Sequence, residues 1–136
     1  MSISHYRADE VLNDALRGTA TPHIWLHVGD PGDDGTANVA QNGGDDIDRK
    51  SVDFGEPKNH ETEERRLVEN ETEVVWAGAD IDDGQEITHF SVWDAESSGN
   101  VEFIAAVAEA KTIGSDGVKV EIGDLTCQLQ VYEKPE

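Results

Sequence analysis

The sequence predicts an all-β domain: a β-sandwich of jelly-roll or Ig-like type with about seven or eight strands and one short N-terminal helix. Three observations support this prediction. Valine outnumbers leucine by 13 to 6, and β-branched side chains suit a pleated sheet. Apolar and polar residues alternate in several short segments, and turns rich in Gly, Pro and Asp separate those segments. We expect one domain over residues 1–136, because neither a linker nor an internal repeat divides the chain.

The short helix is predicted over residues 8–17, ADEVLNDALR, where apolar residues recur with helical spacing on one face. Asp9 and Glu10 suit its first turn, Arg17 its last turn and Gly18 its stop. Because so short a helix is not stable alone in water, we expect it to dock on the sheets.

The remaining chain is predicted to alternate between strands and turns. The segment 101–110, VEFIAAVAEA, is nearly all apolar, which predicts a central strand buried on both faces. Residues 35–47 and 56–65 are polar and are predicted to be loops. The other predicted strands are 24–28, 49–55, 66–78 (one long strand or two short ones), 87–95, 118–123 and 124–132.

The charge of the chain is strongly negative. Thirty acidic residues oppose ten basic ones, and the formal net charge is −20. Self-repulsion of this size opposes a compact state in dilute buffer, and salt relieves it because the Debye length falls to about 3 Å at 1 M. A dispersed acidic surface with few lysines predicts a protein of a high-salt environment. The charge argues against nucleic-acid binding, which needs a basic face, and against binding to acidic membranes.

Cysteine usage and hydropathy suggest synthesis in a cytoplasm. The one cysteine, Cys127, allows neither an internal disulfide nor a multi-cysteine metal site. The first ten residues, MSISHYRADE, have no apolar core of the signal-peptide type. No apolar run approaches the length of a membrane span.

Three acidic loops, DPGDDG, GDDID and DIDDG, could supply carboxylates to a cation. A calcium loop of the helix-loop-helix type needs acidic or Asn residues at alternate positions, but glycine stands at a ligand position in the first and the third of these loops. Turns also collect Asp and Gly without any ligand. We therefore expect solvated turns and no resident cofactor. The candidates for a structural Ca²⁺ or Mg²⁺ are Asp30, Asp33, Asp80 and Asp82.

No catalytic motif appears in the sequence, so we expect no enzyme. His23 and His27 would lie about 13 Å apart along a strand, too far to share one metal. His89 is expected to pack beside Trp93, and Cys127 is expected to be a small buried apolar residue.

Two further features have alternative interpretations. The three tryptophans could line a sugar-binding face, although packing in the core or at a subunit interface is the more usual role. The tripeptide Asn70-Glu71-Thr72 fits the N-glycosylation sequon. The tryptophans are Trp25, Trp76 and Trp93.

Five segments in order resemble a family of tailed-phage and prophage structural proteins, usually labelled tail fibre-like or minor tail proteins. The resemblance spans residues 11–130, and the segment EPKNHETEERRLVENETEVV is far more acidic than the family pattern. In that pattern D-P-G-x-x-G recurs as a turn that ends a strand. The segments are VLNDALRGTA, IWLHVGDPGDDGTANVA, RKSVDFGEP, THFSVWDAESSGNVEF and KTIGSDGVKVEIGDLTCQL.

The resemblance implies a non-enzymatic structural subunit of a virion. Such a subunit would assemble with itself and with other virion proteins as a tail component or surface decoration. The alternatives are a capsid decoration or turret protein, and a module that binds glycans on the host surface. Together with the charge, the resemblance suggests a tailed virus of halophilic archaea.

Overall fold

A computed structural model of the chain describes residues 3–131. In this range the protein is mostly β, with one helix and several sheets, which confirms the predicted all-β sandwich with a short N-terminal helix. None of the helical residues in the described range forms a segment long and apolar enough to cross a bilayer. The elements are α1 (His5–Leu16), β1 (His23–His27), β2 (Gln41–Asn42), β3 (Asp45–Asp46), β4 (Lys50–Ser51), β5 (Lys58–Asn59), β6 (Arg65–Glu69), β7 (Val74–Ala77), β8 (Glu86–Trp93), β9 (Val101–Thr112), β10 (Gly117–Val120) and β11 (Thr126–Gln130).

The helix begins three residues before its predicted start. The side chain of Ser4 caps it by accepting a hydrogen bond from the N–H of Arg7, at 3.1 Å. The acidic pair predicted for the first turn therefore lies in the second turn, and Arg17 is the C-cap rather than part of the last turn, so both placements were wrong. Gly18 follows with φ of 66°, the left-handed conformation that favours glycine, as predicted for the stop.

The first layer is a four-stranded antiparallel sheet in the order β4-β1-β8-β9. In the central pair, Leu26 lies opposite Phe90, and both side chains are buried in the core. Trp25 lies opposite Ser91 on the other face of the sheet. Successive side chains of β1 thus point to opposite faces of this sheet, as expected for a strand.

The second layer consists of two smaller antiparallel sheets, β11-β6-β5 and β10-β7, and α1 packs against β6. One hydrophobic cluster joins both layers and the helix. Its members include Leu12, Leu16, Ile24, Leu26, Val68, Val74, Trp76, Phe90, Val92, Val118, Val120, Leu125 and Cys127.

The described part of the chain contains more strands than predicted, because short pairings form inside the predicted loops. Residues 35–47 contain the β2-β3 hairpin, whose turn is Gly43-Gly44 with φ of 62° and 90°. Reciprocal hydrogen bonds hold this hairpin: the Gln41 N–H donates to Gln85 Oε1 at 2.8 Å, and Gln85 Nε2 donates to the Gln41 carbonyl at 2.9 Å. Likewise, β5 lies within the predicted loop 56–65.

Several strand boundaries also differ from those predicted. Only two residues of segment 49–55 form a strand, and segment 66–78 is two strands, the second of the two alternatives. The strand predicted over 118–123 is shorter than expected: β10 ends at Val120 and a turn follows, so Ile122 is 64% exposed. The last strand ends at Gln130, and its predicted final residue, Tyr132, lies outside the described residues.

Candidate functional site

The strand β9 lies at an edge of the first sheet. It pairs with β8 along one side, and no strand within residues 3–131 pairs with its other side. The prediction of a central strand buried on both faces was wrong. The apolar run suggested a strand with neighbours on both sides and cover on both faces. Instead, β10 pairs with β7 and β11 pairs with β6, so neither pairs with the second edge of β9.

The open strand presents uncharged side chains on both of its faces. Phe103 and Ala105 point to the core face and pack against the hydrophobic cluster, each only partly buried. Ile104 and Ala106 lie on the opposite face, and Ala106 is exposed. Residues 103–108, FIAAVA, carry no charge and no proline.

A cleft runs between the open strand and the second layer. One cavity of about 820 Å³ lies between β9, β11 and the region around β5. A second cavity of about 210 Å³ is lined mainly by apolar side chains, including Val107 and Leu125. Ala108 and Asp124 line both cavities, so the cleft continues along β9.

Two ion pairs lie along this cleft. Lys58 pairs with Glu69, and Lys111 Nζ lies 3.0 Å from Asp124 Oδ2. All four residues line one or both of the cavities. The cleft is therefore lined by apolar side chains and by these paired charges.

Arg49 forms a second cluster on the opposite face of the first sheet. Its guanidinium carbon lies 4.6 Å from the ring centroid of Trp25 and 3.7 Å from that of Trp93, which are cation–π distances. Its Nη1 donates to the carbonyls of Ala95 and Ser98, at 3.1 and 2.7 Å. Arg49 thus fastens the turn after β8 to the sheet.

The pKa of Arg49 lies below its ordinary value because burial disfavours the charged form, and the nearby carboxylate of Asp94 acts against this shift. Sequence reasoning missed Arg49, because its two aromatic partners are far away along the chain and no local spacing marks them.

All three indole N–H groups donate to the protein itself. Trp25 donates to the Ile47 carbonyl at 2.6 Å, and Trp76 donates to the Asp48 carbonyl at 2.8 Å. Trp76 and Trp93 are also buried. These contacts favour packing over a sugar-binding face, because a sugar platform needs exposed rings.

His27 and Ser91 form a hydrogen-bonded pair that has the spacing of a general base and a nucleophile. Nε2 of His27 lies 2.7 Å from Ser91 Oγ, and Nδ1 lies 2.8 Å from the carbonyl of Ala37. Both residues are fully buried, so substrate cannot reach the hydroxyl in this structure. Burial lowers the pKa of His27, with a smaller contribution from His89. The pair therefore fits a structural role, and the sequence offered no signal for it.

Cys127 is buried, as expected from its alternation with leucines. Burial raises the pKa of its thiol, so the reactive thiolate is disfavoured. His23 and His60 make only local hydrogen bonds, to the Thr21 carbonyl and from the Thr62 N–H.

Comparison with models of protein families gives one match, over residues 2–128 of the chain, to the family described as "Podophage GP4 fiber I protein gp80". The chain belongs to this podophage fibre protein family. No curated protein matches it. The match confirms the resemblance to tailed-phage fibre-like proteins, and membership implies a structural component of a tailed virus.

The acidic loops DPGDDG and DIDDG contain turns, whereas GDDID includes the strand β3. Asp30 Oδ1 accepts a hydrogen bond from the N–H of Gly32 at 2.9 Å, directly after β1. Asp82 Oδ2 accepts from the N–H of Gly43 at 3.0 Å, which joins two loops. The other two cation candidates, Asp33 and Asp80, are exposed. Within residues 3–131, no group of three or more His, Cys, Asp or Glu side chains is arranged to hold a metal ion.

The sequon Asn70-Glu71-Thr72 lies at a buried position. Asn70 is 1% exposed, and its amide makes four hydrogen bonds. Its Nδ2 donates to the carbonyls of Thr72 and Glu121, both at 2.9 Å, and its Oδ1 accepts from the N–H groups of Gly123 and Leu125 at 3.1 and 3.0 Å. The folded state thus hides the nitrogen that a glycan would need.

Proposed function

We propose that this chain is a non-enzymatic structural subunit of a tailed virion, which assembles with copies of itself and with other virion proteins. Membership of the podophage fibre protein family carries this proposal. The open strand β9 and its cleft support it, because an unpaired sheet edge without charge or proline is a template for pairing with another chain. A fibre or another tail component is the location that the family description favours.

We further propose that the virus infects a halophilic archaeon and that the subunit is made in the salt-rich cytoplasm of that host. The support is the net charge of −20 and its spread over the chain.

Immunogold electron microscopy of purified virus particles tests the location. Antibody against the protein should label the tail or its fibres, and mass spectrometry of the same particles should detect the chain. Label on the head would instead favour a capsid decoration or turret protein. Absence of the chain from the particles would contradict the virion proposal altogether.

A further inference from the structure

The middle of β9 lacks the usual protection of a sheet edge. Natural edge strands are blunted by charged side chains, by proline or by a covering element. Residues 103–108 contain neither charge nor proline. The register irregularities of β9 fall outside residues 103–106, which pair regularly with residues 89–92 of β8. A regular and uncharged edge of this kind, here residues 103–106, is a template for another strand.

The negative charge of the molecule limits the surfaces through which two copies can contact one another. Two copies that each carry −20 repel one another over most of their surfaces. Contact between copies costs least where both surfaces are uncharged, and residues 103–108 form such a strip on an open edge.

We propose that β9 pairs antiparallel with β9 of a second copy, about a two-fold axis through Ala105 and perpendicular to the sheet. The two four-stranded sheets then form one sheet of eight strands. The proposal rests on the proposed function, since it names the surface through which the structural subunit would assemble with itself.

This register places uncharged side chains opposite one another. Ile104 faces Ala106 of the second copy on either side of the axis, within the regular part of β9.

The same pairing covers the cleft. A two-fold axis perpendicular to a sheet keeps each side chain on its own face. Phe103 and Val107 of the second copy therefore point to the core side, where the cleft between β9 and the second layer is open. The pairing buries apolar surface as well as the unpaired backbone groups of the edge.

The test is sedimentation equilibrium of the purified chain over a range of concentrations in about 1 M NaCl, where the Debye length is about 3 Å. The wild type should dimerise. Ala106→Glu and Ala106→Lys each place a charged side chain directly across the pair from the apolar side chain of Ile104, where pairing takes the charge out of water, and should weaken the dimer about tenfold or more.

Ala77→Glu is the matched control: it adds the same charge at an exposed alanine on β7, and it should dimerise like the wild type. Circular dichroism checks that each variant is folded, which is expected because the side chain of residue 106 is exposed.

A wild type that stays monomeric at every concentration would overturn the proposal, as would an Ala106→Glu variant that dimerises like the wild type. These outcomes are independent of the virion assay. A chain found in particles that does not pair through β9 contradicts only this inference, whereas a chain that pairs but is absent from particles contradicts the proposed function.

Discussion

The hydrogen bond between the imidazole of His27 and the hydroxyl of Ser91 has one possible direction, in which the hydroxyl donates and Nε2 accepts. The carbonyl of Ala37 can only accept, so Nδ1 of His27 carries the proton. The indole N–H of Trp93 can only donate, and it donates to Ser91 Oγ at 2.8 Å. The Ser91 hydroxyl therefore donates to Nε2 of His27. Every donor and acceptor in this buried series of hydrogen bonds has a partner when His27 is neutral.

We predict that protonation of His27 destabilises the fold. Its pKa in the folded state lies below 6.5, so as the pH falls through about 6.5 the unfolded chain binds a proton that the folded chain does not. The free energy of unfolding should then decrease with a slope of at most about 1.4 kcal/mol per pH unit from this residue. Urea unfolding at several pH values between about 7.5 and 5.5 measures it.

The comparison for this prediction is the variant His27→Gln, whose side chain is polar but does not bind a proton. The stability difference between the wild type and His27→Gln should shrink as the pH falls. A pH-independent difference would contradict the neutral network.

We predict that Asn70→Asp destabilises the protein by about 2–5 kcal/mol. The carboxylate keeps the size of the amide but has no donor for the carbonyls of Thr72 and Glu121, and it places a charge in a buried site. The control is Asn42→Asp, which affects one exposed hydrogen bond and should cost much less. Chemical unfolding under fixed salt measures both, and equal costs would argue against a special role for Asn70.

We predict that the pair formed by Arg66 and Asp9 fastens α1 to the second layer. Arg66 Nε and Nη2 donate to the two carboxylate oxygens of Asp9 at 2.8 and 2.9 Å, and both side chains are less than a third exposed. This hydrogen bonding raises the pKa of Arg66. A double-mutant cycle with Asp9→Asn and Arg66→Gln should give a coupling energy of about 1–2 kcal/mol.

The comparison cycle uses Lys119 and Glu73, whose side chains are each about half exposed and lie 3.2 Å apart. That pair should couple more weakly and lose its coupling in molar salt, because exposed charges are screened. Equal coupling energies in the two cycles would mean that the bidentate contact between Arg66 and Asp9 adds no stability beyond that of an exposed ion pair.

We predict that the fold depends on salt. Circular dichroism should show strand structure in molar KCl or NaCl and its loss in dilute buffer, because screening relieves the repulsion of the −20 charge. Full strand structure in dilute buffer would refute the proposed adaptation to high salt.

Local patterns predicted much of the fold. The alternation in β1 and β8, the turn after Asp30 and the helix stop at Gly18 depend on residues close together in the chain, and the structure has them as expected. The burial of Cys127 followed from its alternation with leucines.

The errors concern relations between distant segments. Composition shows that residues 103–108 are apolar, but it cannot show that β10 and β11 pair elsewhere and leave β9 at an edge. For the same reason the sequence did not reveal Arg49 between its two tryptophans, or Ser91 beside His27.

The contact between Trp25 and Trp93 has an optical consequence. Their ring centroids lie 5.8 Å apart and their planes are nearly perpendicular, at 89°. Two indoles so close couple their excited states and give a paired band of opposite signs in circular dichroism, at longer wavelength than the absorption of chloride ions. The protein thus contains an intrinsic reporter of the packing between β1 and β8 that stays readable in concentrated brine.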